Sequence, residues 1–197
     1  YVMFISSLKD LDEMFRIPGT LIPHKWIWKN YIDIWRDVPL ATYFRNSAVV
    51  AFCATGICIL CAIPAGYALA RLRFPGKKTV MSGIIVTQMF SPVVLLVGIY
   101  KLMVTMNLQN KLLGIILLVA AFQQAFAAWI LSGTFATISQ ELEEAAMIDG
   151  CSRLKSVIRI ILPLAAPGIV TAIMFVFISA WNEYTLTLVL IGDANLK

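Results

Sequence analysis

The chain has 197 residues, 60% of them hydrophobic and 14% charged, with a mean hydropathy of +0.83. Soluble domains carry about 25% charged residues, so a soluble enzyme with an ordinary surface is excluded. The net charge of +5 does not point to nucleic acid, because the basic residues sit in loops between apolar runs, where they set membrane orientation.

Charged side chains are absent from 46–70, 79–100, 112–140 and 160–182, together half of the chain. Each run reaches the roughly 20 apolar residues that a helix needs to cross the hydrocarbon. The expected fold class is an all-α membrane protein, a polytopic helical bundle with spans at about 46–70, 79–100, 112–136 and 163–182. Residues 1–45 are expected to form an extracytoplasmic, interfacial segment ahead of a transmembrane region 46–197. That segment carries Trp26, Trp28, Tyr31, Trp35, Tyr43 and Phe44, rings that favour the membrane–water interface. Within it, 30–38 reads as a short interfacial helix before Pro39 whose role is anchoring.

In the first span, Ala62, Gly66 and Ala70 recur at spacing four. Small residues at that interval let a second helix approach closely in lipid, and Pro64 predicts a kink. Cys58 and Cys61 match C-x-x-C, but no second cysteine pair or histidine partner accompanies them, and the single histidine is His24. They read as small apolar groups, and no metal site is expected.

The second span holds Thr87, Gln88, Ser91 and Pro92, and the third holds Gln123 and Gln124. The fourth has Pro167 and Gly168 early, then Ser179 and Asn182, with Glu183 just beyond. Polar groups at membrane depth face a bundle interior or a water-filled cavity. Gln88, Ser91, Gln123, Gln124, Asn182 and Glu183 are therefore candidates for a solute pathway. The competing reading of the amides is interhelical hydrogen bonding, worth about 0.6 kcal/mol on average. Glu183 reads equally as a gate or docking contact and as a wet interfacial carboxylate.

Arg71, Arg73, Lys77 and Lys78 crowd the loop 71–78, and Arg153, Lys155 and Arg159 lie in 141–159. The loop 101–111 has only Lys101 and Lys111. The positive-inside rule then makes 71–78 and 141–159 cytoplasmic and puts 1–45, 101–111 and 183–197 outside. With both ends outside and no signal peptide ahead of Tyr1, the chain reads as truncated at both ends. No serine–histidine arrangement or intramembrane acidic pair suggests catalysis, and no cofactor is expected. Gly76-Lys77-Lys78-Thr79 fails as a phosphate-binding loop, because Arg71 replaces its first glycine and Lys78 its Ser/Thr. The chain is not expected to hydrolyse ATP itself.

The cytoplasmic loop 137–162 carries the densest signal. Ser139 is a good N-cap, and Glu141, Glu143 and Glu144 complement the positive end of the helix that follows. Leu142, Ala145, Ala146 and Asp149 fall at i, i+3, i+4 and i+7, one face with two small residues at its centre. Gly150 can end this helix at positive φ, and Ser152 can cap a second one running to Pro163. The expectation is a helix–turn–helix elbow that either enters a groove on another protein or merely connects two spans.

Glu144-Ala145-Ala146, then Gly150, then Ile160 and Leu162-Pro163 reproduce the spacing E-A-A-x3-G-x9-I-x-L-P. This resembles the EAA loop of type I ABC importer permeases, the inner-membrane components of binding-protein-dependent transport. Phe44-Arg45-Asn46-Ser47, Ala65-Gly66-Tyr67-Ala68-Leu69-Ala70-Arg71 and Ala180-Trp181-Asn182-Glu183-Tyr184 look like the carbohydrate branch, similar to the second maltose-type permease. The resemblance implies a bacterial or archaeal cell membrane and six spans, of which this chain would hold the second to fifth. It implies that the EAA helix, with Leu142, Glu144, Ala145, Ala146, Asp149 and Gly150, seats in a cleft of a separate ATPase. The implied partners are an ABC ATPase dimer, a second permease making a heterodimer, an extracytoplasmic solute-binding protein and the lipid bilayer. The solute would be a mono- or oligosaccharide. The alternatives are another solute (glycerol phosphate, an amino acid or a peptide) or a membrane scaffold without transport.

Overall fold

The computed structural model describes residues 2–10, 13, 22–91 and 93–192, and within them the secondary structure is entirely helical. Two compact units divide the chain, Tyr1–Arg45 and Asn46–Lys197. In the first, α1 (Val2–Ser7) and α2 (Asn30–Asp37) are tied by Asn30 Nδ2 donating to Ser7 O at 3.1 Å and by a 2.7 Å bond between Ser7 Oγ and Tyr31 OH. Leu8 is fully buried there, whereas Tyr31, Ile32, Ile34 and Trp35 of α2 are exposed.

The second unit is built on α6 (Leu112–Thr137) and on α3 (Leu40–Arg71) from Asn46 onward. These two are each long and apolar enough to cross a membrane. Between them lie α4 (Lys77–Met89) and α5 (Leu96–Thr105). The stretch 79–100, expected as one span, is thus two shorter helices. Phe90 is extended at φ −88° and ψ 120°, and the Ser91–Pro92 dipeptide disfavours helix at this point, since a proline drives its predecessor out of the α region. Helix α3, in contrast, continues through Pro64.

After α6 the chain forms α7 (Gln140–Ile148), α8 (Arg153–Ser156), a π turn (Val157–Ile161) and α9 (Leu162–Leu164). It then turns by 73° at Ala165 into α10 (Ala166–Trp181). The second elbow helix, expected to run unbroken to Pro163, therefore contains a π turn, and the helix of the fourth expected span begins after the bend. Pro167 stands in the first turn of α10, where a missing N–H costs nothing. A last helix, α11 (Thr185–Leu190), occupies what had been expected as an outer tail. Its Leu186 and Leu190 are buried, and Asn110 joins it by accepting from Gly192 N at 2.7 Å and donating its own N–H to Leu190 O at 3.2 Å.

Small residues set the helix spacing. A Cβ on Gly66 would lie 2.8 Å from Leu131 Cβ and 3.1 Å from Ser132 N, so α3 and α6 touch at backbone distance there. Ala62, one turn earlier, is fully buried. Gly168 makes the equivalent approach of α10 to Thr134 of α6. Phe135, Leu131, Ile115, Cys58 and Val176 fill the core between these helices.

Candidate coupling elbow and polar span residues

The elbow forms as its sequence demands. Ser139 caps α7, its Oγ accepting from Glu141 N at 3.2 Å. At the other end Cys151 N donates to Ala146 O at 3.0 Å and Gly150 N to Met147 O at 3.1 Å, the paired bonds of a Schellman stop. Gly150 takes φ +84°, which an L side chain resists. Ser152 caps α8 through Lys155 N.

The faces of α7 differ from the expected ones. Glu143 and Ala146 point inward and are buried, while Leu142, Glu144, Ala145, Ile148 and Asp149 are exposed. Ala146 thus packs against its own chain and is no part of an outward face with Leu142, Ala145 and Asp149. A helix of 3.6 residues per turn with Glu143 facing inward must carry the side chain three positions on to the same side. Ile148, 85% exposed, is a large apolar group on the outer face, outside the expected set of Leu142, Ala145, Ala146 and Asp149.

The inward anchor is a charge cluster. Glu143, with its side chain 5% exposed, accepts from Tyr67 OH at 2.5 Å and from Arg153 Nε at 3.1 Å. Arg71 Nε lies 3.8 Å from the other carboxylate oxygen, and the Arg71 side chain is only 4% exposed. Its Nη2 donates to Ile138 O at 2.7 Å. The Tyr67 ring packs edge-on against Phe135, 5.9 Å between centroids. The hydrogen bond to Glu143 is the leading reason that the Arg153 guanidinium is held above its ordinary pKa. From sequence, Arg71 and Arg153 read as loop charges and Glu143 as a helix-end charge. The available signal was Tyr67 and Arg71 at i and i+4, a hydroxyl and a cation on one face at the basic end of a span.

The polar span residues take several environments. Gln123 donates from Nε2 to Ser179 Oγ, joining α6 to α10. Gln124, with its amide oriented so that both atoms are paired, donates to Cys58 O at 3.1 Å and accepts from Ala62 N at 3.0 Å, joining α6 to α3. Both amides therefore make bonds between helices. Gln88 and Ser91 are exposed near the break after α4. Asn182 is the exposed C-cap of α10. Glu183 Oε1 accepts from Leu186 N at 2.9 Å, capping α11, and it borders a narrow cleft of about 30 Å³ with Asn46, Ser47, Trp181 and Thr187.

The family described as "Binding-protein-dependent transport system inner membrane component" matches residues 62–196, a segment that holds α4 to α11 and the Gly66 contact. This chain belongs to that family. As a permease of this family it is a multi-pass inner-membrane protein. Its relatives include the Escherichia coli "Inner membrane ABC transporter permease protein YcjP", 32% identical over 99% of this chain and 70% of that protein. The Agrobacterium fabrum "Sulfoquinovosyl glycerol transport system permease protein SmoH" is 36% identical over 95% of this chain and 66% of its own length. The Streptomyces coelicolor "Diacetylchitobiose uptake system permease protein DasC" is 38% identical over 99% and 71%. The permease chain described here spans about two thirds of the length of these relatives. Among solved structures, a bacterial ABC transporter involved in the import of the acidic polysaccharide alginate superposes with a TM-score of 0.81. That match covers 98% of this chain and 68% of that one at 23% identity, which shows a shared importer-permease fold.

Proposed function

We propose that this permease serves an ATP-driven importer of a mono- or oligosaccharide, and that α7 couples it to a separate ATPase subunit. The observation that carries the reading is α7 itself. It is a capped helix of nine residues fixed by its inward face, with Leu142, Glu144, Ala145, Ile148 and Asp149 open on the other. Small Ala145 between apolar Leu142 and Ile148 suits insertion into a groove, and Gly150 sets where the helix stops. An ATPase dimer, a second and distinct permease, and an external solute-binding protein complete the proposed assembly. Its solute pathway would draw on Gln88, Ser91, Asn182 and Glu183 and on the amides of Gln123 and Gln124. The carbohydrate assignment is supported by relatives named for sulfoquinovosyl glycerol and diacetylchitobiose transport and by the trehalose permease SugB of Mycobacterium tuberculosis, 35% identical. A second reading, glycerol phosphate, is supported by the Pectobacterium atrosepticum permease UgpE, named for sn-glycerol-3-phosphate transport and 31% identical.

Affinity purification from detergent followed by mass spectrometry tests the coupling role. The unaltered protein should bring down an ATPase and a second permease. Ala145→Trp should insert normally but lose the ATPase, because overpacking costs about 1–3 kcal/mol, of the order of a tenfold loss in recovery. Equal recovery with both proteins would count against α7 as the contact. ATPase stimulation by a sugar panel against glycerol 3-phosphate, each with the binding protein, separates the two solute classes.

A further inference from the structure

Ionised side chains removed from water cost several kcal/mol each, and a buried pair is often no more stabilising than apolar groups of the same volume. The Arg71–Glu143 pair meets that description, with both side chains no more than 5% exposed. It also bridges elements that need no charge to pack: Tyr67 and Arg71 end helix α3, and Glu143 belongs to α7, more than seventy residues later. The surrounding contacts leave little freedom. Tyr67 OH and Arg153 Nε both reach Glu143 Oε1, Arg71 faces Oε2, and the far end of Arg71 holds Ile138 O at the start of the elbow. One carboxylate thus gathers the last turn of α3, the middle of α7 and the first residue of α8. Shape-independent apolar contact would let α7 slide or roll. A carboxylate that accepts directed hydrogen bonds from Tyr67 and Arg153 and faces the buried Arg71 charge at 3.8 Å does not.

We infer that Tyr67, Arg71, Glu143 and Arg153 form the joint that makes α7 move with α3 as one body, so that displacement of the elbow is delivered directly to a membrane-spanning helix. The inference rests on the coupling reading of α7. Tyr67, Arg71 and Glu143 are turned away from the outward face of α7, so they act as positioning residues. Within the joint, Arg71 and Glu143 are the buried part. Arg153, with its side chain 57% exposed, closes the outer side and orients α8.

The test uses the assembled transporter in lipid nanodiscs, with the four native cysteines replaced and spin labels at Glu141→Cys on α7 and Leu60→Cys on α3, both exposed sites. Electron–electron distances are recorded without nucleotide and with a nonhydrolysable ATP analogue. In the otherwise unaltered protein the distance should be the same in both states. With Glu143→Gln it should broaden and shift by several ångströms on adding nucleotide, while the ATPase still copurifies and still hydrolyses ATP. The double variant Arg71→Met/Glu143→Met guards against misfolding, since it removes the buried pair and leaves no buried charge behind. A purely structural role predicts that the double variant regains the nucleotide-independent distance. The joint predicts that it folds and assembles but remains nucleotide-dependent. A nucleotide-driven shift in the unaltered protein, or an unchanged distance in Glu143→Gln and the double variant, overturns the joint alone. Failure to recover any ATPase with the unaltered protein overturns the coupling reading and the joint with it.

Discussion

Glu143 differs from Glu141 and Glu144 in one respect, its direction. All three lie in the first turns of α7, where a negative charge is favourable beside unpaired N–H groups, and the sequence gives no reason to separate them. The separation comes from the rest of the fold, which brings Tyr67 and Arg71 under one face of the helix. Gly150 shows the opposite case, in which local chemistry is sufficient. Its φ of +84° belongs to the left-handed region, and no atom lies within 4 Å of where a Cβ would sit, so the only penalty for a side chain there is conformational. Gly150→Ala should then lower stability by about 1–2 kcal/mol. Gly150→Asn should lower it less, since Asn tolerates that region. Thermal unfolding in detergent checks the order, and equal losses for the two variants would mean that something other than φ decides this position. Ser139 and Gly150 were legible because a cap and a stop depend on a few adjacent residues. Glu143 was not, because its partners are set by contacts across more than seventy residues.

Helix contacts obey a similar division. The Ala62-Gly66-Ala70 interval signalled close approach of another helix, and Gly66 does press on Leu131 and Ser132 of α6. The partner helix itself could not be read, because any neighbour tolerates a small residue. The break in the second expected span is hidden for a related reason. Composition registers that 79–100 is apolar, but it cannot register that Phe90 leaves the helical region and splits the run into α4 and α5. Likewise the 73° turn at Ala165 lies inside an apolar stretch that hydropathy treats as uniform. The packing argument gives a paired prediction. Gly66→Leu must force α3 and α6 apart and should destabilise the protein by about 1–3 kcal/mol. Gly56→Leu, ten residues earlier on the same helix where a Cβ meets nothing within 4 Å, should be close to neutral. Folded yield by size-exclusion chromatography after graded heating would measure both, and a Gly66→Leu protein as robust as Gly56→Leu would contradict the contact.

At the scale of the 46–197 unit, the helices sort the loops into two ends. Arg71, at the close of α3, reaches Ile138 and Glu143, so the basic loop 71–78 and the elbow share one end. The turn holding Asn107 and Asn110, both at positive φ, bonds to Leu190 and Gly192, so the loop 101–111 and the close of α11 share another. Charge follows the same partition, with the basic clusters of 71–78 and 141–159 together and the sparsely charged segments apart. Because short basic loops are retained on the cytoplasmic side, geometry and charge give one expectation for topology. In a cysteine-free background, Lys78→Cys and Lys155→Cys should react with a membrane-impermeant maleimide only after the cells are opened. Lys111→Cys should react in intact cells. Labelling of Lys78→Cys and Lys155→Cys from opposite sides would break the shared end that the Arg71 contacts create. Labelling of all three with inverted sidedness would leave the fold intact and place α7 where no cytoplasmic ATPase could reach it, removing the basis for coupling.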